Sequence, residues 1–356
     1  MIEIYNIEEE FLKNSNNLSV FPNSKDYTIT YTQFKERFEK DIHREINSKL
    51  VELEKEGYFN DHGVNHIITV IRKASELIYV EGDKPLLSPY ETFILLMAIQ
   101  LHDTGHLISS RQEHAKMGKE ILRKFDKSNV LSASERVHIG NIAKAHGGKD
   151  DPIGNLENIC YLSNQKIRPQ LLASILRLAD ELAEDSERAS NFLIELNEGR
   201  QKGERPYLAP TSEIYHLYSA SIDSCRIDGS EIILELYPVD YRLVKKYPMK
   251  TKNGSEEKYL LDEIYDRTFK TFTESLYCNR FLTEGKRIST VRVSVNIVTE
   301  NENELIKKIS YELRESGYPM MEVNDIFERC ISLKEDNQNI NGEFIKRLIE
   351  SKNNQL

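Results

Sequence analysis

His102 and Asp103 end an apolar run, Phe93 to Leu101, that otherwise reads as buried helix. A carboxylate is doubly disfavoured there. It faces the negative end of the helix dipole, and an unpaired buried charge is costly. A bound cation removes both objections, so the doublet raises the question of further ligands. Four other segments each offer one. His66 shares a helical face with Val70, Ala74 and Leu77, and His114 with Gly118, Ile121 and Phe125. His146 shares one with Ile139, Ile142 and Ala143, and Asp180 with Leu172 and Leu176. Such spacing turns each polar group toward the core that its apolar neighbours fill. A lone histidine on such a face is more often a hydrogen-bonded core residue than a ligand. Four imidazoles and two carboxylates converging on one core, with few balancing basic groups, are a different case. One or two divalent ions give every group a role.

The chemistry follows from the donor set. Imidazole and carboxylate without thiolate suit Mn, Fe, Co, Ni or Zn, and the sequence does not choose among them. Two such ions would lower the pKa of a shared water toward neutrality and bind phosphoryl oxygens as Lewis acids. In-line attack then breaks a P–O ester or anhydride bond. His106, one turn beyond His102, reads equally well as a catalytic imidazolium that protonates the leaving oxygen or as a surface histidine. Asp61 reads as the N-cap of the His66 helix, and His62 as a pocket-lining residue. Arg111, Lys144 and Lys149 are candidate phosphate contacts, against the alternative of solvated charges on helix faces. His43, His138 and His216 receive no functional reading.

A series of helices must position these groups. From about Gly63 to Arg188 the start and stop signals are clear. Ser88-Pro89-Tyr90-Glu91 is a capping box with proline at the first helical position, and Ser132-Ala133-Ser134-Glu135 is a second. Gly105 fits a stop after His102-Asp103, Gly147-Gly148 ends the next helix, and Pro169 starts another. Gln33 to Glu56 reads as a charged amphipathic helix. Asn197 to Ser212 is polar and reads as a linker or exposed loop. Beyond it the pattern changes. Ala220 to Tyr237 reads as a β-hairpin around Asp228-Gly229, and Val291, Val293, Val295 and Ile297 alternate as a strand. Between them, Leu261 to Leu276 space as a helix. Leu305, Ile306, Ile309 and Leu313 read as a further helix stopped by Gly317, with one or two more after Val323. The expected fold is therefore mainly α. Residues 1–57 form a helical extension, 58–196 an all-helical metal-binding core, 212–300 a smaller α+β domain, and 301–356 C-terminal helices packing on it.

The whole chain limits the function classes. Its 356 residues can bury a sizeable core. No stretch approaches the roughly 20 apolar residues that cross a bilayer. The acidic start lacks the basic and apolar regions of a signal peptide. Cys160, Cys225, Cys278 and Cys330 have no CxxC spacing, which argues for reduced thiols in the cytoplasm and against a zinc ribbon. A net charge of −10 argues against general nucleic-acid binding but leaves room for a local basic pocket.

The order His66, His102-Asp103, Asp180, with Leu-Ala-Asp-Glu-Leu at Leu178 to Leu182, resembles the HD-domain superfamily of metal-dependent phosphohydrolases, over residues 58–190. The resemblance implies an all-helical core in which His66, His102, Asp103 and Asp180 hold one metal. Glu113-His114-Ala115-Lys116-Met117-Gly118 and Ala145-His146-Gly147-Gly148 resemble the insertions of two-metal members. That implies Asp103 as a bridge, with His114 and His146 on the second ion. The run Ala145 to Lys149 lacks the Gly-Tyr-Pro signature of the cyclic di-GMP subgroup. His102-Asp103-Thr104-Gly105-His106 resembles dNTP triphosphohydrolases, without the rest of their motifs. Asn60 to His66 resembles the opening of a subgroup proposed to act as cyclic-nucleotide esterases.

The resemblance implies a phosphohydrolase acting on a nucleotide-like phosphorylated small molecule. Two alternatives stand beside it. A di-iron HD oxygenase would use the same ligands, and a nucleotide-binding sensor would relay its state through the C-terminal domain to a protein partner or a second copy. Residues 212–356 carry no phosphate loop or metal spacing that decides between them.

Overall fold

The computed structural model describes residues 5–46, 48–49, 62–79, 86–109, 113–186, 189, 191–200, 207–251, 254–300, 304–317 and 324–353. The fold is mainly α, with a smaller α+β part in the C-terminal region. The chain divides into two compact units. The first comprises residues 1–55, 61–183 and 278–286. The second comprises 56–60, 184–277 and 287–356.

In the first unit, α1 (Ile7–Leu12) and α2 (Tyr27–Phe38) precede α3 (Val64–Ile78), α4 (Pro89–Leu101), α5 (His114–Phe125), α6 (Ala133–Lys144) and α7 (Pro169–Leu182). Helix α4 is apolar on every side, and every residue from Tyr90 to Leu101 is buried. A helix without a polar face belongs at the centre of a bundle. The others surround it: α2, α6 and α7 pack on α4, α3 packs on α7, and α5 on α6. The charged helix expected from Gln33 to Glu56 follows α2 to Phe38, then widens into a π-turn at Glu39–His43. Its remainder past Lys49 lies outside the described residues.

Two buried polar clamps set the register of the central helices. Both capping boxes form as expected, Ser88 with Glu91 and Ser132 with Glu135. Each glutamate also reaches a neighbour. Arg168, just before α7, donates to both oxygens of Glu91 at 2.8 Å. The hydroxyls of Tyr27 and Tyr90 donate to Glu135 Oε1 at 2.6 and 2.8 Å. The starts of α4, α6 and α7 are thereby tied together. Asp103 follows Glu91, and Asp180 follows Arg168, by 12 positions, while His146 follows Glu135 by 11. At 1.5 Å per residue these are nearly equal runs of about 17–18 Å. Helices fixed at one end therefore deliver Asp103, His146 and Asp180 to the other end together.

The all-helical expectation for this core needs one correction. β1 (Cys160–Leu162) and β2 (Gln165–Ile167) form an antiparallel hairpin. Its turn residues, Ser163 and Asn164, have φ of 47° and 66°. Two consecutive positive φ values match the right-handed twist of a two-residue hairpin, a signal that Ser-Asn carries only weakly in sequence.

The second unit contains α8 (Asn191–Glu198), α9 (Glu213–Ser221), β3 (Ile222–Asp228), β4 (Glu231–Leu236), α10 (Asp240–Leu243), β5 (Lys246–Thr251) and β6 (Gly254–Tyr259). It continues with α11 (Leu260–Asn279), β7 (Thr290–Val298), β8 (Leu305–Arg314), α12 (Ile326–Arg329), β9 (Lys334–Glu335), β10 (Gln338–Asn339) and α13 (Gly342–Asn353). The sheet runs β3-β4-β7-β8, with β4 and β7 parallel and the outer pairs antiparallel. The expected hairpin, the β7 strand and the intervening helix α11 are all present. Residues 305–314 are a strand, not the expected helix. Ile309 and Leu313 are four apart, which fits either period. Tyr311 decides it, since it lies buried between them on the same face and its hydroxyl meets Thr268 Oγ1 at 2.7 Å. It also pairs across the sheet with Val293. In the stretch expected as a linker, α8 extends to Glu198, and residues 201–206 lie outside the described ones.

Candidate metal centre

The first unit brings all six expected ligands together. Asp103 stands at the middle, buried with 4% exposure. Its Oδ2 lies 3.5 Å from His66 Nε2 and 3.4 Å from His102 Nε2. Its Oδ1 lies 3.3 Å from His114 Nε2 and 3.6 Å from His146 Nε2. Asp180 Oδ1 closes the first set, 3.1 Å from His66 and 3.6 Å from His102. Within each set the paired imidazole nitrogens are 3.3 Å (His66, His102) and 3.1 Å (His114, His146) apart. One carboxylate thus faces two imidazole pairs, one with each oxygen.

The spacing tests whether a metal fits. Metal–ligand bonds of about 2.0–2.2 Å put neighbouring donor atoms about 3.0–3.5 Å apart, from octahedral to tetrahedral geometry. The donor separations here fall in that range to within 0.1 Å. The donor orientation also fits. His102 Nδ1 donates to Ile99 O at 2.7 Å and His146 Nδ1 to Ala143 O at 2.6 Å, so each ring, when neutral, turns an Nε2 lone pair inward. The clustered His and Asp residues can hold a divalent ion, and no lysine or arginine ion-pairs with Asp103 or Asp180 among the described residues.

The electrostatics of the protein alone point the same way. The C-terminal ends of α4, α6 and α7 meet here, each contributing negative potential. Burial opposes charge on Asp103, yet His102 and His62 hold its carboxyl well below the usual range. Asp180 is likewise held down against desolvation by hydrogen bonds from His102 and His66. Burial works against an imidazolium at His102, but Asp103 and Asp180 raise it well above its ordinary value. Burial, with the His102 charge, pushes His146 down to about 4. A cation can take over from the His102 proton the task of balancing both carboxylates.

Four further sequence candidates lie around these ligands. His62 Nδ1 meets Asp103 Oδ2 at 2.8 Å, so it contacts the aspartate itself. Its position four residues before His66 is the signal that places it there. His106 stacks on His114 with ring centroids 3.9 Å apart, and its Nε2 is 3.7 Å from Asp103 Oδ1. Lys144 and Lys149 are exposed on either side of His146, and no hydrogen bond or ion pair joins them to the cluster among the described residues. Arg111 and Asp61 lie outside the described residues.

Gly105 has a different role from the helix stop read in sequence. A Cβ there would sit 1.9 Å from the backbone oxygen of His114. Only glycine lets the segment after Asp103 pass so close to the start of α5. Sequence reasoning also passed over His138, Glu157 and Cys160, a separate cluster described below.

The family model HD-CE matches residues 56–267. No curated protein and no solved structure matches the chain.

Proposed function

The chain belongs to the HD-CE family of HD-domain proteins, and from that premise we propose that it is a metal-dependent phosphohydrolase. It opens a phosphoester or phosphoanhydride bond of a nucleotide or cyclic nucleotide. The observation that carries this reading is the placement of Asp103, with one oxygen toward each imidazole pair. His66, His102 and Asp180 would hold one ion, His114 and His146 a second, with Asp103 shared. When bound, the ions supply Lewis acidity toward phosphoryl oxygens and a nucleophile from water near neutral pH.

The chain's own groups supply the rest. His62 holds Asp103 Oδ2 and so fixes the plane of the shared carboxylate. That makes it a positioning residue as well as a candidate pocket wall. His106, stacked on His114, would give a proton to the leaving oxygen. Lys144 and Lys149 add positive charge beside His146, which favours approach of an anionic substrate to an otherwise acidic protein. No disulfide joins any of the four cysteines, in keeping with a reducing cytoplasm. Among the described residues no helix is long and apolar enough to cross a membrane.

The test is a hydrolysis screen. Purified protein with Mn²⁺ is offered nucleoside mono-, di- and triphosphates and cyclic mono- and dinucleotides, with the His102→Ala, Asp103→Ala double variant as control. Metal-dependent release of phosphate or a nucleotide product by the wild type alone supports the reading. Absence of turnover on every phosphoester overturns it.

A further inference from the structure

His138 precedes Glu157 and Cys160 by 19 and 22 positions but lies close to both in space. His138 lies on the outer part of α6, Cys160 opens strand β1, and Glu157 sits in the loop before it. Their donor atoms all lie within 4.8 Å of one another. Cys160 Sγ is 3.8 Å from His138 Nδ1. Tetrahedral zinc, with bonds of about 2.3 Å to sulfur and 2.0–2.1 Å to nitrogen, separates those two donors by about 3.6 Å. The Cys160–His138 pair therefore needs only a few tenths of an ångström of contraction to close on an ion, and the Glu157 carboxylate joins it from within 4.8 Å.

The scaffold is firm on both sides. Cys160 pairs with Ile167 in the β1–β2 ladder, and Ile167 is fully buried. His138 is one position before Ile139, which is also fully buried. Both ligands are half-buried and Glu157 is exposed, so an ion can enter from solvent without opening the fold. A nucleophilic Cys–His pair is a poorer reading of the same contact. Burial and the Glu157 charge push the Cys160 thiol up to about 11, which leaves little thiolate at neutral pH.

We propose that His138, Glu157 and Cys160 form a second metal site, separate from the Asp103 centre, that takes one borderline-soft divalent ion of the zinc type. A mixed sulfur, nitrogen and oxygen donor set selects such an ion over Mg²⁺ or Ca²⁺. Binding replaces the thiol proton, which passes to solvent, and the fourth position stays open to water. The ion fastens the hairpin to α6, the helix whose end carries His146.

Cobalt distinguishes this site from the Asp103 centre, which contains no sulfur. The full-length protein, stripped with chelator, is titrated with Co²⁺ and followed for thiolate-to-cobalt charge-transfer absorption in the near ultraviolet. The expected result is a band whose full intensity corresponds to one thiolate-bound cobalt per chain, and which is abolished in Cys160→Ser and needs at least tenfold more Co²⁺ in His138→Ala. It persists in Cys225→Ser and in Asp103→Ala. The two ligand variants lie on different elements, and circular dichroism checks each for native helix content. No band at any cobalt concentration, or a band unchanged in Cys160→Ser, overturns the proposal and leaves Cys160 and His138 as a weak hydrogen-bonded pair. Because the readout is the sulfur ligand, it is independent of whether the Asp103 centre hydrolyses anything.

Discussion

Replacing Gly105 by alanine should remove one half of the metal centre while sparing the other. The added Cβ would lie 1.9 Å from His114 O and 2.8 Å from its Cα, and both obstacles are backbone. Reaching even the 3.0 Å floor seen for real Cβ atoms from 1.9 Å requires the two segments to part by about 1.1 Å. His114 Nε2 is 3.1 Å from His146 Nε2 and 3.3 Å from Asp103 Oδ1. Metal sites tolerate bond-length deviations of about 0.2 Å, so a shift five times larger takes His114 out of the set. His66, His102 and Asp180 sit on α3, at the end of α4 and on α7, and do not depend on that contact. The expected outcome is loss of one Mn²⁺ per chain and a fall in turnover of about 100-fold or more. Overpacking should lower stability by only about 1–3 kcal/mol. Elemental analysis of Mn²⁺-loaded protein, phosphoester turnover and urea denaturation measure the three quantities. A Gly105→Ala protein with full metal content and wild-type turnover would refute the argument that glycine sets the position of His114.

Glu135→Ala should cost about 3 kcal/mol or more in urea denaturation, because it strands the buried hydroxyls of Tyr27 and Tyr90 and removes the carboxylate that accepts from the Ser132 backbone N–H. Burial opposes the Glu135 charge, but those hydrogen bonds hold its carboxyl below the ordinary value of 4.5. Its contribution is therefore complete above that value and is lost as pH falls through the lower folded one. His43 works on the opposite branch: burial pushes it down from 6.5 to about 4. The unfolded chain binds its proton first, so stability falls as pH drops from 6.5 toward 4, by about 2 kcal/mol between pH 7 and 5. His43→Gln should flatten the measured slope by that amount, and an unchanged slope would show that His43 is not held neutral. His106→Gln should keep both ions and lower kcat by about 100-fold. An unchanged kcat would return His106 to a purely supporting place in the stack.

The clustered His and Asp residues were legible in sequence because each breaks an apolar helical face, and a break repeated on several helices is hard to explain without a common centre. The capping boxes were legible too, since Ser88-Pro89-Tyr90-Glu91 and Ser132-Ala133-Ser134-Glu135 state their geometry locally. Their second task was not legible, because the links from Arg168 to Glu91 and from Tyr27 to Glu135 join residues 77 and 108 apart. Gly105 was read as a local stop for the same reason: the backbone it must clear belongs to His114. Strand β8 misled because four is close to a helical turn and also twice the strand period, so Ile309 and Leu313 satisfied both. Only the burial of Tyr311 separates the two. The His138–Cys160 contact left no trace in spacing, since its two members stand 22 positions apart, one on a helix and one on a strand.

The shared role of Asp103 is tested most directly by the manganese content of chelator-stripped, Mn²⁺-reloaded protein. Manganese is the suitable probe because it has little affinity for the thiolate of Cys160. The account predicts two ions per wild-type chain with the exchange-coupled magnetic resonance spectrum of a bridged pair, one ion in His114→Ala, and fewer than one in Asp103→Ala. A wild type that retains no ion, or an Asp103→Ala protein that retains as many as the wild type, would contradict it.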